Sequence, residues 1–173
     1  HANGWAHQLH DEPGVQPSWE RRYRTWQGTA GGSSPLGADL MLRHRVTVGN
    51  VALHAAGGAV VRLGWRLPAD FGADLIRPGG GNMANDGSPD RFSFYTYASG
   101  EVRAVARDIF LDGNTWRTSH RVPKRPVVAD LSLGLVLHWP SFQIAYTQNY
   151  RTKEFYGQLR RDVFGSVGFS YSR

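Results

Sequence analysis

The densest run of reactive side chains lies near the start of the chain, where His7, His10, Asp11 and Glu12 fall together in HQLHDE. Imidazoles beside carboxylates can exchange protons, so His10, Asp11 and Glu12 are candidates for acid–base catalysis. Asp11 and Glu12 also offer the hard oxygen donors that calcium takes, which makes them candidate metal ligands. The plainer alternative is a strand that runs into a solvated turn at Pro13-Gly14. A second set, Arg151, Lys153, Arg160 and Arg161, gathers cations around the polar stretch TKEFYGQLRRD (residues 152–162). Guanidinium groups match phosphate with two parallel hydrogen bonds, so these four are candidate substrate-binding residues, with solvated loop charge as the alternative. His44, His54 and His138 stand singly in apolar runs and are expected to be packed or hydrogen-bonded. Asp86 and Asp90 in NDGSPD fall short of the ligand count of a calcium loop. Asp112-Gly113-Asn114 reads as a hairpin turn.

The elements that must position these residues are strands. From Val127, every second residue is apolar through Ala129, Leu131, Leu133, Leu135, Leu137 and Trp139, while Asp130, Ser132, Gly134 and His138 fall between them. That period of two marks one strand with one apolar face. Trp139-Pro140-Ser141 reverses the chain, and the return run sets Phe142, Ile144, Tyr146 and Tyr150 against Gln143, Thr147, Asn149 and Arg151. Residues 40–48 alternate in the same way. Residues 51–65 set Leu53, Ala55, Ala59, Val61, Leu63 and Trp65 against a face of small residues with His54 and Arg62, which suits a crowded barrel interior. Further strands are expected at 1–12, 15–26, 91–109, 115–120 and 163–173. Several exceed the usual soluble strand of about 5–6 residues. Long strands, apolar on one face and polar on the other, are the pattern of a transmembrane β-barrel.

A chain of 173 residues suggests one domain. It contains no cysteine, which excludes a disulfide framework and a thiolate metal site. The net charge of +6 suggests an anionic partner such as a phosphorylated lipid or a membrane surface. No nucleic-acid motif accompanies the scattered cations, so nucleic acid is not expected as a partner. Short turns at 13–14, 49–50, 112–114 and 139–141 alternate with longer reversals at 27–37, 66–90 and 152–162, with 122–126 as the exception. Barrels with short periplasmic turns and long external loops show this segregation. The strands number about nine, whereas bacterial barrels hold an even number. The expectation is therefore one barrel domain over 1–173 that lacks its N-terminal strands. No basic-then-apolar leader opens the sequence, which is read as mature or partial.

The motifs GWAHQLHDEPG (residues 4–14), GNVALHAAGGAVVRLGW (49–65), VARDIFLDGN (105–114), RTKEFYGQ (151–158) and DVFGS (162–166) make the chain resemble the outer-membrane lipid A 3′-O-deacylase family along most of its length. The resemblance implies an antiparallel twelve-stranded barrel in the bacterial outer membrane, of which this is the C-terminal part. It also implies a monomer whose partner is lipid A or lipopolysaccharide. Members use calcium to hydrolyse the ester that holds the 3′ acyloxyacyl group, with a histidine activating water. The family's catalytic set lies largely before the Gly-Trp motif, and its histidine is expected farther upstream of Trp5 than His1 stands. The catalytic residues are therefore expected before residue 1, leaving the fragment inactive, with His10, Asp11 and Glu12 as weak candidates. The alternatives are a non-enzymatic outer-membrane pore or structural barrel, and, behind them, a soluble ligand-binding barrel.

Overall fold

The computed structural model describes residues 9–31, 34–71 and 91–171. They form strands β1 (Ser18–Thr29), β2 (Leu36–Thr47), β3 (Ala52–Trp65), β4 (Ser93–Asp108), β5 (Val127–His138), β6 (Phe142–Arg151) and β7 (Asp162–Tyr171), with one helical turn, α1 (Ile109–Asp112). The strands make one seven-stranded antiparallel sheet in chain order. Strands of 10 to 16 residues at about 3.3 Å per residue cross a hydrocarbon layer of about 30 Å when tilted. No helix among the described residues is long and apolar enough to do so.

The polarity of the sheet is inverted relative to a soluble protein. One face turns Leu42, Leu63, Leu133, Leu135, Val167 and Phe169 to the outside, with Phe169 75% exposed. The other buries Asp39, Thr47, Arg62, Ser93, Ser132 and His138, none more than 2% exposed. Monomeric soluble proteins do not expose continuous apolar bands of this size. An apolar outside and a polar inside are what a barrel in lipid requires.

The inner side chains pair by reaching over intervening strands. Arg43 on β2 meets Glu101 on β4 at 3.2 Å, crossing β3 where Gly58 lies opposite both. Tyr97 on β4 places its hydroxyl 2.5 Å from Thr147 Oγ1 on β6, crossing β5 at Gly134. A Cβ at Gly134 would collide with the Tyr97 ring, and one at Gly58 would press on Arg43. The small residues of the 51–65 run therefore open the path for interior contacts, as its pattern suggests. At one rim Trp139 stacks on Phe142 at 4.3 Å and packs against Phe92 at 5.1 Å. The reversal there closes with Trp139 N–H donating to Phe142 O.

Four expectations need correction. Residues 115–120 form no strand, so β4 pairs directly with β5. The cause lies at Asp112-Gly113-Asn114, which is not a hairpin turn. Asp108 caps α1 by accepting from Phe110 N–H, and Gly113 ends it at a φ of 83° with its N–H on Ile109 O. A side chain at Gly113 would strike Ser119 Oγ, which accepts from Asn114 N–H and folds 113–121 into a compact loop. Residues 9–17 contain no strand, and residues 1–8 lie outside the described residues, so seven strands are found where about nine are expected. Losing one strand also reverses the side on which every later connection emerges. Connections 48–51, 109–126 and 152–161 share one rim, whereas 139–141 shares the other with 66–92. Short and long connections occur at both rims, so loop length does not support the membrane reading and face polarity does.

Two predictions follow from this packing. Gly134→Val in the folded protein is expected to lose about 1–3 kcal/mol by displacing Tyr97. Gly100→Ala, where nothing lies within 4 Å of the new Cβ, should stay within about 0.5 kcal/mol; urea midpoints in detergent compare the two. Leu133→Arg at mid-strand should cost about 2–4 kcal/mol in a bilayer, against at most about 1 for Val127→Arg at the strand end. Equal costs at the two positions would contradict the assignment of this face to lipid.

Candidate functional site

The rim that carries 48–51, 109–126 and 152–161 gathers most of the sequence's candidates. Two asparagines hold the 9–17 segment onto it. Asn114 brackets His10, accepting from its N–H at 2.9 Å and donating to its carbonyl at 2.7 Å. Asn50 does the same to the next turn, accepting from Val15 N–H at 2.7 Å and donating to Pro13 O at 2.8 Å. An amide carries both a donor and an acceptor, so each side chain substitutes for a backbone partner that the segment lacks. Between these brackets the Glu12 carboxylate accepts from Thr115 N–H at 3.0 Å and from its hydroxyl at 2.9 Å. Arg107 ties the layers together, donating to Asn50 O, Gly113 O and Thr115 Oγ1 at 2.8, 3.0 and 3.0 Å.

These contacts set the charge states of the loop carboxylates. Slight burial opposes ionisation of Glu12, but the donors from Asn114, Thr115 and Trp116 outweigh it and hold the carboxyl below its usual range. Asp112 follows the same pattern: burial is outweighed by Lys124, whose Nζ lies 2.6 Å away, and by Asp108 N–H. Glu154 behaves oppositely, because burial pushes it up despite attraction from Arg151 and Arg103.

The sequence's candidates divide accordingly. Glu12 is committed to Thr115, whereas Asp11 and the His10 side chain face solvent. No trio of carboxylates or histidines among the described residues could hold a metal ion. Asp11 and Glu12 do not fit a calcium ion, which takes about 6–8 oxygens. Arg151 points to the inner face and binds Asp130 at 2.6 Å and Glu154 at 3.4 Å, an internal pairing rather than a free phosphate site. Lys153 is half-buried, and Arg160 and Arg161 are exposed on the 152–161 loop. That loop leans on the neighbouring one through a Lys124–Phe155 bridge and Arg125 N–H on Glu154 O. His44 faces outward between Trp19 and Tyr23 at 5.1 and 5.4 Å. His54 and His138 face inward, each with a buried Nε2 that has no hydrogen-bond partner among the described residues. His7, Asp86 and Asp90 lie outside the described residues.

Sequence reasoning missed Asn50, Arg107, Asn114 and Thr115. The asparagines do signal turns, because their side chains readily bond nearby backbone, but Asn114 finds its partner at residue 10, far along the chain. The same rim holds an open cleft of about 340 Å³ lined by Asn114, Trp116, Arg117, Thr118, Ser119 and Arg121.

Glu12→Ala should loosen the contact between Glu12 and the 112–115 turn while the Asn50 and Asn114 brackets and the sheet stay intact. Hydrogen exchange would then accelerate at the Thr115 amide and leave β3 and β4 protected. With Glu12 depressed, its ionised form favours the folded rim above the ordinary carboxylate range, and that contribution is lost as pH falls through the lowered value. Lower protection at Thr115, measured relative to the slower intrinsic exchange at acid pH, is therefore expected on acidification of the native protein and not of Glu12→Ala.

Three of the segments that bear the resemblance to lipid A deacylases thus meet physically, residue 10 on 114, residue 50 on 107 and residue 50 on 13, while 151–158 rests on 123–125 outside them. Comparison with known proteins agrees. LpxR from Salmonella typhimurium shares the fold, with a TM-score of 0.69 at 18% identity over 94% of this chain and 53% of that one. The chain therefore spans about half the length of that relative. No curated protein matches it. The family described as outer membrane protein LpxR matches across residues 1–173, and the chain belongs to that family of outer-membrane proteins.

Proposed function

We propose that the complete protein is an outer-membrane lipid A 3′-O-deacylase. In that reading, residues 1–173 supply part of the barrel wall and the scaffold of one rim. Water would add to the ester carbonyl of the 3′ acyloxyacyl group, releasing the fatty acid and restoring the sugar hydroxyl. The observation that carries this reading is the family match over the whole chain, supported by the lipid-facing polarity of the sheet. No trio of carboxylates or histidines among the described residues could cradle a metal ion. The reading therefore places the donors for calcium outside those residues, and the catalytic groups with them. Strands beyond this chain would complete the barrel, in keeping with a relative of about twice its length.

A pore on the same scaffold is the second reading. It needs a continuous polar passage, whereas the inner face is spanned by paired side chains, Arg43 with Glu101 and Tyr97 with Thr147. The test is mass spectrometry of lipid A from cells expressing the complete protein, with calcium and with a chelator. Calcium-dependent loss of one acyloxyacyl group is the expected result. Unchanged lipid A, from protein shown to be folded in the outer membrane, would reject the enzyme.

A further inference from the structure

Several cations at the loop-rich rim already have partners. Lys124 is held by Asp112, Arg103 and Arg151 share Asp130, and Arg107 is spent on backbone and Thr115. Arg117, Arg121, Arg160 and Arg161 are exposed and enter no ion pair among the described residues, but of these four only Arg117 and Arg121 line the cleft of about 340 Å³. The one carboxylate in that lining, Asp112, is covered by Lys124 and by Asp108 N–H. Ser119 Oγ accepts from Asn114 N–H, so its own hydrogen is free to donate into the cleft, and the Thr118 hydroxyl is exposed. The cleft therefore presents two uncompensated guanidinium groups and two hydroxyl donors, the complement of a phosphate.

Its surroundings identify the kind of phosphate. Trp116 at its edge is 63% exposed, Phe110 on α1 74%, and Leu159 on the adjoining loop 92%. These apolar groups lie just past the ends of strands whose outer face is apolar, the level at which a barrel's rim enters the headgroup layer. Large apolar side chains beside unpaired arginines suit a charged headgroup attached to acyl chains better than a free ion in water.

We infer that the Arg117–Arg121 cleft binds a lipid A phosphate at the membrane surface, orienting the glycolipid against this rim. The inference rests on the proposed lipid A substrate and adds a site for it. Arg151 cannot take this role because Asp130 and Glu154 already occupy it.

The experiment uses the complete protein in neutral phosphatidylcholine nanodiscs with chelator present. It is titrated with bis-phosphorylated lipid A, with dephosphorylated lipid A, with phosphatidylglycerol and with inorganic phosphate. Phosphorylated lipid A should bind best, and added salt should weaken it. Arg117→Gln/Arg121→Gln should weaken it roughly tenfold, since each arginine near an anionic surface contributes on the order of 1 kcal/mol. Arg160→Gln/Arg161→Gln removes the same charge from the neighbouring loop and should have a much smaller effect. Heat-modifiable migration in SDS confirms that each variant is folded. Equal losses in the two double variants would show a diffuse field and overturn the cleft. Unchanged affinity in Arg117→Gln/Arg121→Gln would overturn it too, as would equal binding of dephosphorylated lipid A, phosphatidylglycerol or free phosphate. Phosphate-dependent binding at the cleft without any deacylation in cells would reject the enzyme and leave the inference intact. Deacylation without it would reject the inference alone.

Discussion

One row of the sheet register runs through every strand on the inner face: Arg22, Arg43, Gly58, Glu101, Asp130, Arg151 and Asp162. Because the apolar face is turned outward, these charges cannot escape to solvent on that side and must neutralise one another. Like charges stand directly opposite at Arg22–Arg43 and Glu101–Asp130, an arrangement that is unfavourable in isolation. It is relieved because each group also reaches an opposite charge: Glu20 takes Arg22, Glu101 takes Arg43 and Arg45, and Asp130 lies between Arg103 and Arg151. Gly58 is the gap through which Arg43 and Glu101 meet. Buried ion pairs add little net stability over apolar packing, but losing one partner typically costs about 3–5 kcal/mol. The row thus acts chiefly as a constraint on register. A slip of one residue would expose every one of these charges to the hydrocarbon.

The same constraint shapes the two rims. Near the opposite rim, Arg62 is fully buried between Asp39 at 2.6 Å and Asp70 at 2.5 Å, over the Tyr95 ring. Those contacts tie β2, β3 and the residues after β3 together. At the loop-rich rim the strands end, water is available, and connections can project. There the ordering comes from amide brackets and a single carboxylate clamp rather than from ladders. Guanidinium groups can stay solvated in such a place. The interior of the sheet is accordingly structural, and recognition falls to the loops.

Much of this was legible in the chain. The period of two over 40–48, 51–65, 127–138 and 142–151 placed each residue on the face where it is found, since a strand side chain has only two directions available. Glycine and alanine on one face of 51–65 signalled a crowded interior. The reading failed at Asp112-Gly113-Asn114, where a favourable turn dipeptide closes a helical turn capped by Asp108 instead. It could not see that Glu12 accepts from Thr115, because a carboxylate beside histidines looks the same whether or not it has such a partner. Arg151 looked like a phosphate binder for a similar reason: its partner Asp130 sits across a ladder, invisible to spacing.

The sequence by itself determined the strand class, the two faces, the antiparallel order and the family, because alternation and ordered motifs are local properties of the chain. Only the tertiary structure decided which loops share a rim, since one missing strand reverses every connection after it. It alone also decided which charges are spent and which are free. That depends on partners brought close by register and by amide brackets between residues about a hundred positions apart, such as His10 and Asn114. Arg151 and Arg117 are the same residue type, and only neighbours fixed by the folded sheet make one a strut and leave the other open to a ligand.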